Sequence, residues 1–394
     1  MVRLRQLPLF ALLSLLVVQQ SGLAQNKPRA RDLGIPFDGT PGPFNAITDV
    51  KGVEVGYVTL ISGEGKLNVG VGPVRTGVTA ILPRGKQSKD PVFAGWFALN
   101  GNGEMTGTTW VEESGFLEGP VMITNTHSVG VVRDAVVAWQ AKNNKLFQPW
   151  SLPIVAETFD GEVNDINGFH VKKEHVFQAL DSAKSGAIAE GNVGGGTGMI
   201  CYEFKGGTGT ASRKLAEKDG GYTVGVLVQA NHGLRYQLQV AGVPVGKEVR
   251  EDAPFTRGAD YYNERGSIII VVATDAPLLP HQLKRVARRA ALGLARTGGA
   301  AGNGSGDIFI AFSTANAGAA SPSAATAQLQ MLSNDKISRL FGATILATEE
   351  AIINALVAAE SMTGIDGFKV SAIPHDRLRE VMRKYNRLIE PRKK

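Results

Sequence analysis

The chain has 394 residues, 43% of them hydrophobic and 20% charged, which is ample for a full core and too apolar for a disordered chain. The formal net charge of +6, or +4 without Arg3 and Arg5, is mild and dispersed, and argues against a nucleic-acid partner. A single cysteine, Cys201, excludes an intrachain disulfide and, flanked by apolar residues, reads as a small core residue.

In chain order, residues 1–24 read as an export signal. Arg3 and Arg5 open it, Leu7 to Val18 form an apolar run too short to span a bilayer, and Gly22-Leu23-Ala24 is a small-x-small cleavage site. The mature chain is therefore expected to begin at Gln25, to be periplasmic or secreted, and to be off the membrane. Residues 25–48, rich in Pro, Gly and Asp, look like an extended lead-in. Strands are predicted over Val53–Thr59, Val78–Leu82, Val92–Leu99, Val121–Ile123 and Leu152–Thr158, from short β-branched runs broken by Gly and Asn. Helices are predicted over Ser128–Lys142 and Val176–Ser185, and Gly191–Gly198 is a glycine-rich loop. Tyr222–Val228 is a strand leading into Gln229-Ala230-Asn231. The polar stretch 247–266 reads as a surface loop, and the run from Ser267 to Ala273 as a buried strand. After Pro280 comes an amphipathic helix, with Leu283, Val286, Ala287, Ala290 and Leu294 opposite Lys284, Arg285, Arg288 and Arg289. Ile308–Phe312 is a strand, and Thr348–Ser361 and Asp376–Asn386 are helices. Strands and helices alternate in both halves, so the fold class is α/β or α+β with a large sheet.

Familiar motifs fail in detail. The six histidines show no metal-ligand spacing, so neither a metal nor any other cofactor is expected. Gly194-Gly195-Gly196-Thr197-Gly198 lacks the Lys-Ser/Thr of a phosphate loop and reads as a structural turn or the wall of a pocket. Gly304-Ser305-Gly306 has the wrong outer residues for a nucleophile elbow. Polar groups remain at strand ends: Glu157, Asn231, Ser267, Ser305 and Asp307. A serine that opens a strand is usually only a boundary residue. The pair Gly266-Ser267 is more suggestive, since a glycine carbonyl is open to attack by the neighbouring hydroxyl.

The sequence resembles the DmpA/BapA family of self-processing aminopeptidases, which includes β-peptidyl aminopeptidases and L-aminopeptidase/D-esterases. The likeness runs over nearly all of the mature chain. It rests on the stretch Asn100 to Gly107, on Val155 to Gly161, on Gly194 to Gly198, on Val228-Gln229-Ala230-Asn231, on Gly266-Ser267, on Ala273 to Leu278 and on Gly304-Ser305-Gly306-Asp307. The resemblance implies a four-layer αββα sandwich of the N-terminal-nucleophile kind, shared with the ornithine acetyltransferases. It implies a cut between Gly266 and Ser267, which divides one catalytic domain into residues 25–266 and 267–394. Ser267 would be the nucleophile, Ser305 and Asp307 its hydrogen-bond network, Asn231 a donor to the oxyanion, and Glu157 the holder of the substrate ammonium. The proton could leave through Ser305 and Asp307 or to the α-amine of Ser267, whose reference pKa is about 7.7–8. Substrates would be short peptides, amides or esters with a free N-terminus, β- and D-residues included, and four processed protomers would assemble. Two positions depart from the family pattern. Asp307 replaces a glutamate, so the network is expected to shift by about 1 Å or recruit water. Phe159 stands where a tyrosine is expected in the substrate site. Two other readings stay open: a non-catalytic binding protein with a decayed site, and an acyltransferase, against which the serine nucleophile and export both argue.

Overall fold

The computed structural model describes residues 27–255, 265–323 and 325–390. The expected signal, residues 1–24, lies outside the described residues, as do positions 256–264 of the polar stretch before Ser267.

The strands are β1 (Glu54–Ser62), β2 (Val74–Leu82), β3 (Val92–Gly101), β4 (Phe116–Leu117), β5 (Val121–Asn125), β6 (Ile154–Thr158), the short pair β7 (Ile200–Cys201) and β8 (Phe204–Lys205), β9 (Gly207–Lys214), β10 (Thr223–Asn231), β11 (Arg265–Thr274), β12 (Gly304–Ser313), and a last short pair, β13 (Met362–Thr363) and β14 (Lys369–Val370). The helices are α1 (Thr108–Ser114), α2 (Val129–Lys142), α3 (Lys173–Asp181), α4 (Val245–Glu248), α5 (Pro280–Arg296), α6 (Ser338–Val357) and α7 (His375–Lys384). One sheet runs β1-β2-β5-β6 and the other β4-β3-β12-β11-β10-β9. Within the larger sheet only β11 and β12 are parallel, and α5 makes the crossover between them.

Side-chain alternation sorts these strands into four layers. Ile269, Val271 and Ala273 of β11 meet Ile308 and Ile310 of β12, and with Ile81, Ile123 and Ala156 of the other sheet they close the core between the sheets. The alternate residues Ile268, Ile270, Val272, Phe309 and Ala311 pack under α5 and α6. On the far side, Val78, Ala80, Met122 and Val155 pack under α2 and α3. The order helix, sheet, sheet, helix is the expected αββα sandwich. Burying both faces of β11 explains its unbroken β-branched run.

Several elements differ from their sequence reading. Helix α6 starts ten residues before the expected Thr348, and its added turns bury Leu340, Ala343 and Thr344 in spite of the weak helix former Gly342 among them. It is long and apolar enough to cross a membrane, yet here it is a core helix, with Glu349 paired to Arg296 and Glu350 to Arg31 and Arg213. Strand β9, whose sequence Gly-Thr-Gly-Thr-Ala-Ser-Arg-Lys carries no apolar pattern, pairs with β10 over its whole length. A Cβ on Gly209 would stand 2.0 Å from the Ala351 carbonyl, so glycine is what lets α6 lie on this strand. Helix α1 is likewise absent from the sequence reading. The basic face of α5 is not simply solvated: the Arg289 guanidinium lies 4.0 Å over the Phe341 ring, and Arg288 lies over Phe97. Cys201 is fully buried in the core.

Candidate active site

Three strand ends converge on Ser267. Asn231, the last residue of β10, pairs with Ser267 in the antiparallel ladder, and Gly306 of β12 is its parallel neighbour. Ser267 is buried, and its Oγ accepts a hydrogen bond of 3.1 Å from the Gly306 N–H. The alternation that sends Ile269 and Ile308 between the sheets places Ser267 and Gly306 on that same face. The preceding Gly266 has φ +142, and a Cβ there would stand 2.3 Å from the Asn231 carbonyl oxygen. Only glycine fits before the serine.

The Asn231 carboxamide is held at both ends. Its Oδ1 accepts from the Ile200 N–H at 2.7 Å, and its Nδ2 donates to the Phe159 carbonyl at 2.9 Å. One Nδ2 proton makes that bond, which leaves the other as a donor on a side chain that lines the same cleft as Ser267. Ser267 and Asn231 lie in a cleft of about 990 Å³ with Glu157 and the half-exposed Phe159 ring.

Glu157, the penultimate residue of β6, lines the same cleft as Asn231 and Ser267. Its Oε1 accepts from the Glu104 N–H at 3.0 Å and its Oε2 from the Thr126 hydroxyl at 2.5 Å. Burial raises its pKa above the ordinary carboxylate value, against the pull of those two hydrogen bonds. A cation brought beside it would restore the charged form. Glu104 and Glu162 also line the cleft, and no lysine or arginine does so among the described residues.

Ser305 and Asp307 form a unit of their own. Both are buried, and the Ser305 hydroxyl stands 2.9 Å from each carboxylate oxygen of Asp307. The shorter acid thus reaches its serine directly, and neither the expected shift nor a bridging water is needed. The Asp307 N–H donates to Asn100 Oδ1 at 3.0 Å, which ties the unit to β3. Ladder register sets Ser305 against Gly266 and not against Ser267. Strand alternation points this pair to the α5 side of the sheet, with Phe309 and Ala311. No hydrogen bond joins the two serine hydroxyls among the described residues.

Sequence reasoning passed over Glu104, Thr126, Ile200 and Gly306, which act here through a backbone N–H or a lone hydroxyl. Thr126 alone carried a signal, as a polar residue just beyond β5. The glycine-rich turn is a wedge between the sheets: the Gly194 and Gly195 N–H groups donate to Thr59 and Thr79, and Gly198 reaches the cleft. Among the described residues no three His, Cys, Asp or Glu side chains gather closely enough to hold a metal ion.

The peptidase family S58 model matches residues 45–370. The β-peptidyl aminopeptidase BapA of Sphingosinicella microcystinivorans is 60% identical over 371 residues, covering 92% of this chain and 93% of that protein. The BapA of Sphingosinicella xenopeptidilytica is 50% identical over 391 residues, covering 96% of each. Among solved structures, the L-aminopeptidase D-Ala-esterase/amidase of Ochrobactrum anthropi, described as a prototype for the serine aminopeptidases and a variant of the Ntn hydrolase fold, matches with a TM-score of 0.85 at 51% identity over 92% of this chain and 100% of its own. A Burkholderia sp. β-aminopeptidase matches with a TM-score of 0.83 at 50% identity over 93% of this chain and 100% of its own. These relatives are named as aminopeptidases, and the chain belongs with them to peptidase family S58, as a serine peptidase of the Ntn hydrolase fold.

Proposed function

We propose that the chain cuts itself between Gly266 and Ser267 and then acts as an aminopeptidase on short peptides, amides and esters with a free N-terminus, β-amino acids foremost. The observation that carries this reading is the junction itself. A glycine that no other residue can replace precedes a buried serine hydroxyl; that hydroxyl accepts from a backbone N–H, and the serine's ladder partner, Asn231, carries a carboxamide in the same cleft.

In the precursor the Ser267 hydroxyl attacks the Gly266 carbonyl carbon. The Ser267 nitrogen leaves as an amine and takes up the hydroxyl proton, and an ester joins Gly266 to Oγ. Water hydrolyses that ester, which leaves a Gly266 carboxylate and a free Ser267 amine. In turnover the same hydroxyl attacks the carbonyl of the substrate's first residue, and the acyl-enzyme is resolved by water. The Asn231 Nδ2 and the Gly306 N–H donate to the oxyanion. The freed amine accepts the hydroxyl proton. Ser305 is paired to Gly266 in register, so the Ser305–Asp307 unit lies beside the place where that amine appears and orients it. Glu157 receives the substrate ammonium. Recognition of the ammonium and the carbonyl, with glycines such as Gly103 and Gly198 between, leaves room for the extra methylene of a β-residue.

Residues 1–24 direct export, and the processed protomers assemble as a tetramer, which would cover exposed apolar residues such as Ile61, Val69 and Val71. Intact mass and N-terminal sequencing of wild type and Ser267→Ala test the core of this reading. The expected result is a wild-type fragment of 128 residues that begins at Ser267, and an uncut variant. An uncut wild type with full activity would overturn it. An exported chain that begins at Gln25, and a tetramer by light scattering, check the remaining points.

A further inference from the structure

The oxyanion donor proposed above depends on an amide whose orientation is set from one side by the Phe159 carbonyl. The Phe159 ring is half exposed and does not anchor that carbonyl. The residue that follows does. Asp160 is 1% exposed, and its Oδ1 accepts from Asn164 Nδ2 at 3.0 Å and its Oδ2 from Asn125 Nδ2 at 3.1 Å. The Thr76 hydroxyl also donates to it. Its own carbonyl accepts from the Val163 and Asn164 N–H groups at 3.1 and 3.0 Å. On the other side of Phe159, the Thr158 hydroxyl accepts from Gln229 Nε2 at 2.7 Å, two residues before Asn231 on β10. The carbonyl that fixes Asn231 is thus clamped between two buried anchors, and the charged one is Asp160. A buried carboxylate is costly unless fully hydrogen-bonded, and its donors come from β2, from the end of β5 and from the turn after β6.

We propose that Asp160 is a positioning residue for the reaction: it holds the Phe159 carbonyl where that group keeps one Asn231 N–H aimed at the oxyanion. This rests on the reading of Asn231 as an oxyanion donor, and a double-mutant cycle separates the two claims. The test compares Asp160→Ala, Asn231→Ala and the double variant, read on kcat and KM for a β-aminoacyl anilide. Where Asn231→Ala cuts itself too slowly to yield mature enzyme for turnover, the cycle is read on that slow but finite rate of self-cleavage, followed by intact mass over time.

Asn231→Ala is expected to lower the rate about 10²- to 10³-fold. Asp160→Ala is expected to lower kcat roughly tenfold or more, with KM within about twofold. The double variant should be no slower than Asn231→Ala alone, since Asp160 acts only through that amide. Multiplied losses in the double variant overturn the proposal. An unchanged rate in Asn231→Ala overturns the oxyanion reading instead. Asp160→Asn is the conservative rescue. The Asn125 Oδ1 is buried without a hydrogen-bond partner, so Asn125 can turn its carboxamide and accept from the new N–H. This variant should stay within about twofold of wild type, and a loss equal to that of Asp160→Ala refutes the anchoring role. If Asp160→Ala does not fold, the isosteric Thr76→Val carries the same cycle with a smaller loss.

Discussion

Replacement of Glu157 by glutamine removes one charge and leaves the shape of the site. The carboxamide oxygen still accepts from the Glu104 N–H, and the Thr126 hydroxyl can turn to suit the new group. An ammonium about 3 Å from a carboxylate gains roughly 5 kcal/mol at an effective dielectric constant of about 20. Desolvation of the ammonium and of the buried Glu157 offsets much of this, and a hydrogen bond between charged groups nets about 1.5–3 kcal/mol. KM for a free-amine anilide should therefore rise about ten- to a hundredfold, while kcat changes less. The N-acetylated substrate, which has no ammonium, should be equally poor for both enzymes. The pH profile supplies a second readout. Burial raises the Glu157 pKa, and only the anion attracts the ammonium, so wild-type KM should climb as pH falls through that raised value. In Glu157→Gln this acid limb should vanish. An unchanged KM for the free amine, or an acid limb that survives the substitution, refutes the assignment of Glu157 to the amino terminus.

Other perturbations test the frame around the site. Gly266→Ala should block self-cleavage, because the new Cβ meets the Asn231 carbonyl at 2.3 Å and the residue sits at φ +142; intact mass reads the result. Asp307→Glu forces a methylene into a fully buried pair and should cost about 1–3 kcal/mol in urea unfolding, with slower processing. Glu350→Ala leaves the buried Arg213 without its acid and should cost roughly 3–5 kcal/mol. Burial raises the Asp160 pKa from 3.8 to about 6, which favours the protonated form in the folded state. Its contribution to stability is full below about pH 4 and is lost as pH rises through about 6, by roughly 3 kcal/mol. Asp160→Asn should remove that slope when stability is measured by urea unfolding at pH 4 and pH 7.

The periodic elements were legible in the sequence where one face or both faces of an element are apolar. Strand β11 stood out because both its faces are buried, and α5 because its stripe is clean. Strand β9 was not legible. Its Gly, Thr and Ser positions are selected by the close approach of α6 and by hydrogen bonds such as Thr210 Oγ1 to the Val226 carbonyl, and neither leaves an apolar period. The start of α6 was hidden because Gly342, a weak helix former, falls among the buried Leu340, Ala343 and Thr344.

The sequence by itself determined the class of the fold, the strand that carries Ser267, and the glycine that must precede it, because those follow from local residue pattern and steric freedom. Tertiary structure decided the rest of the site. Pairing brings Asn231 and Gly306 to Ser267 from positions 36 residues before and 39 residues after it. Register pairs Ser305 with Gly266 and Asp307 with Ile268, and the alternation of faces turns both away from the face that carries the Ser267 hydroxyl. The donors to Glu157 and to Asn231 are backbone N–H groups at Glu104 and Ile200. Every residue but proline carries such a group, so its role appears only when the chain has folded and its direction is set.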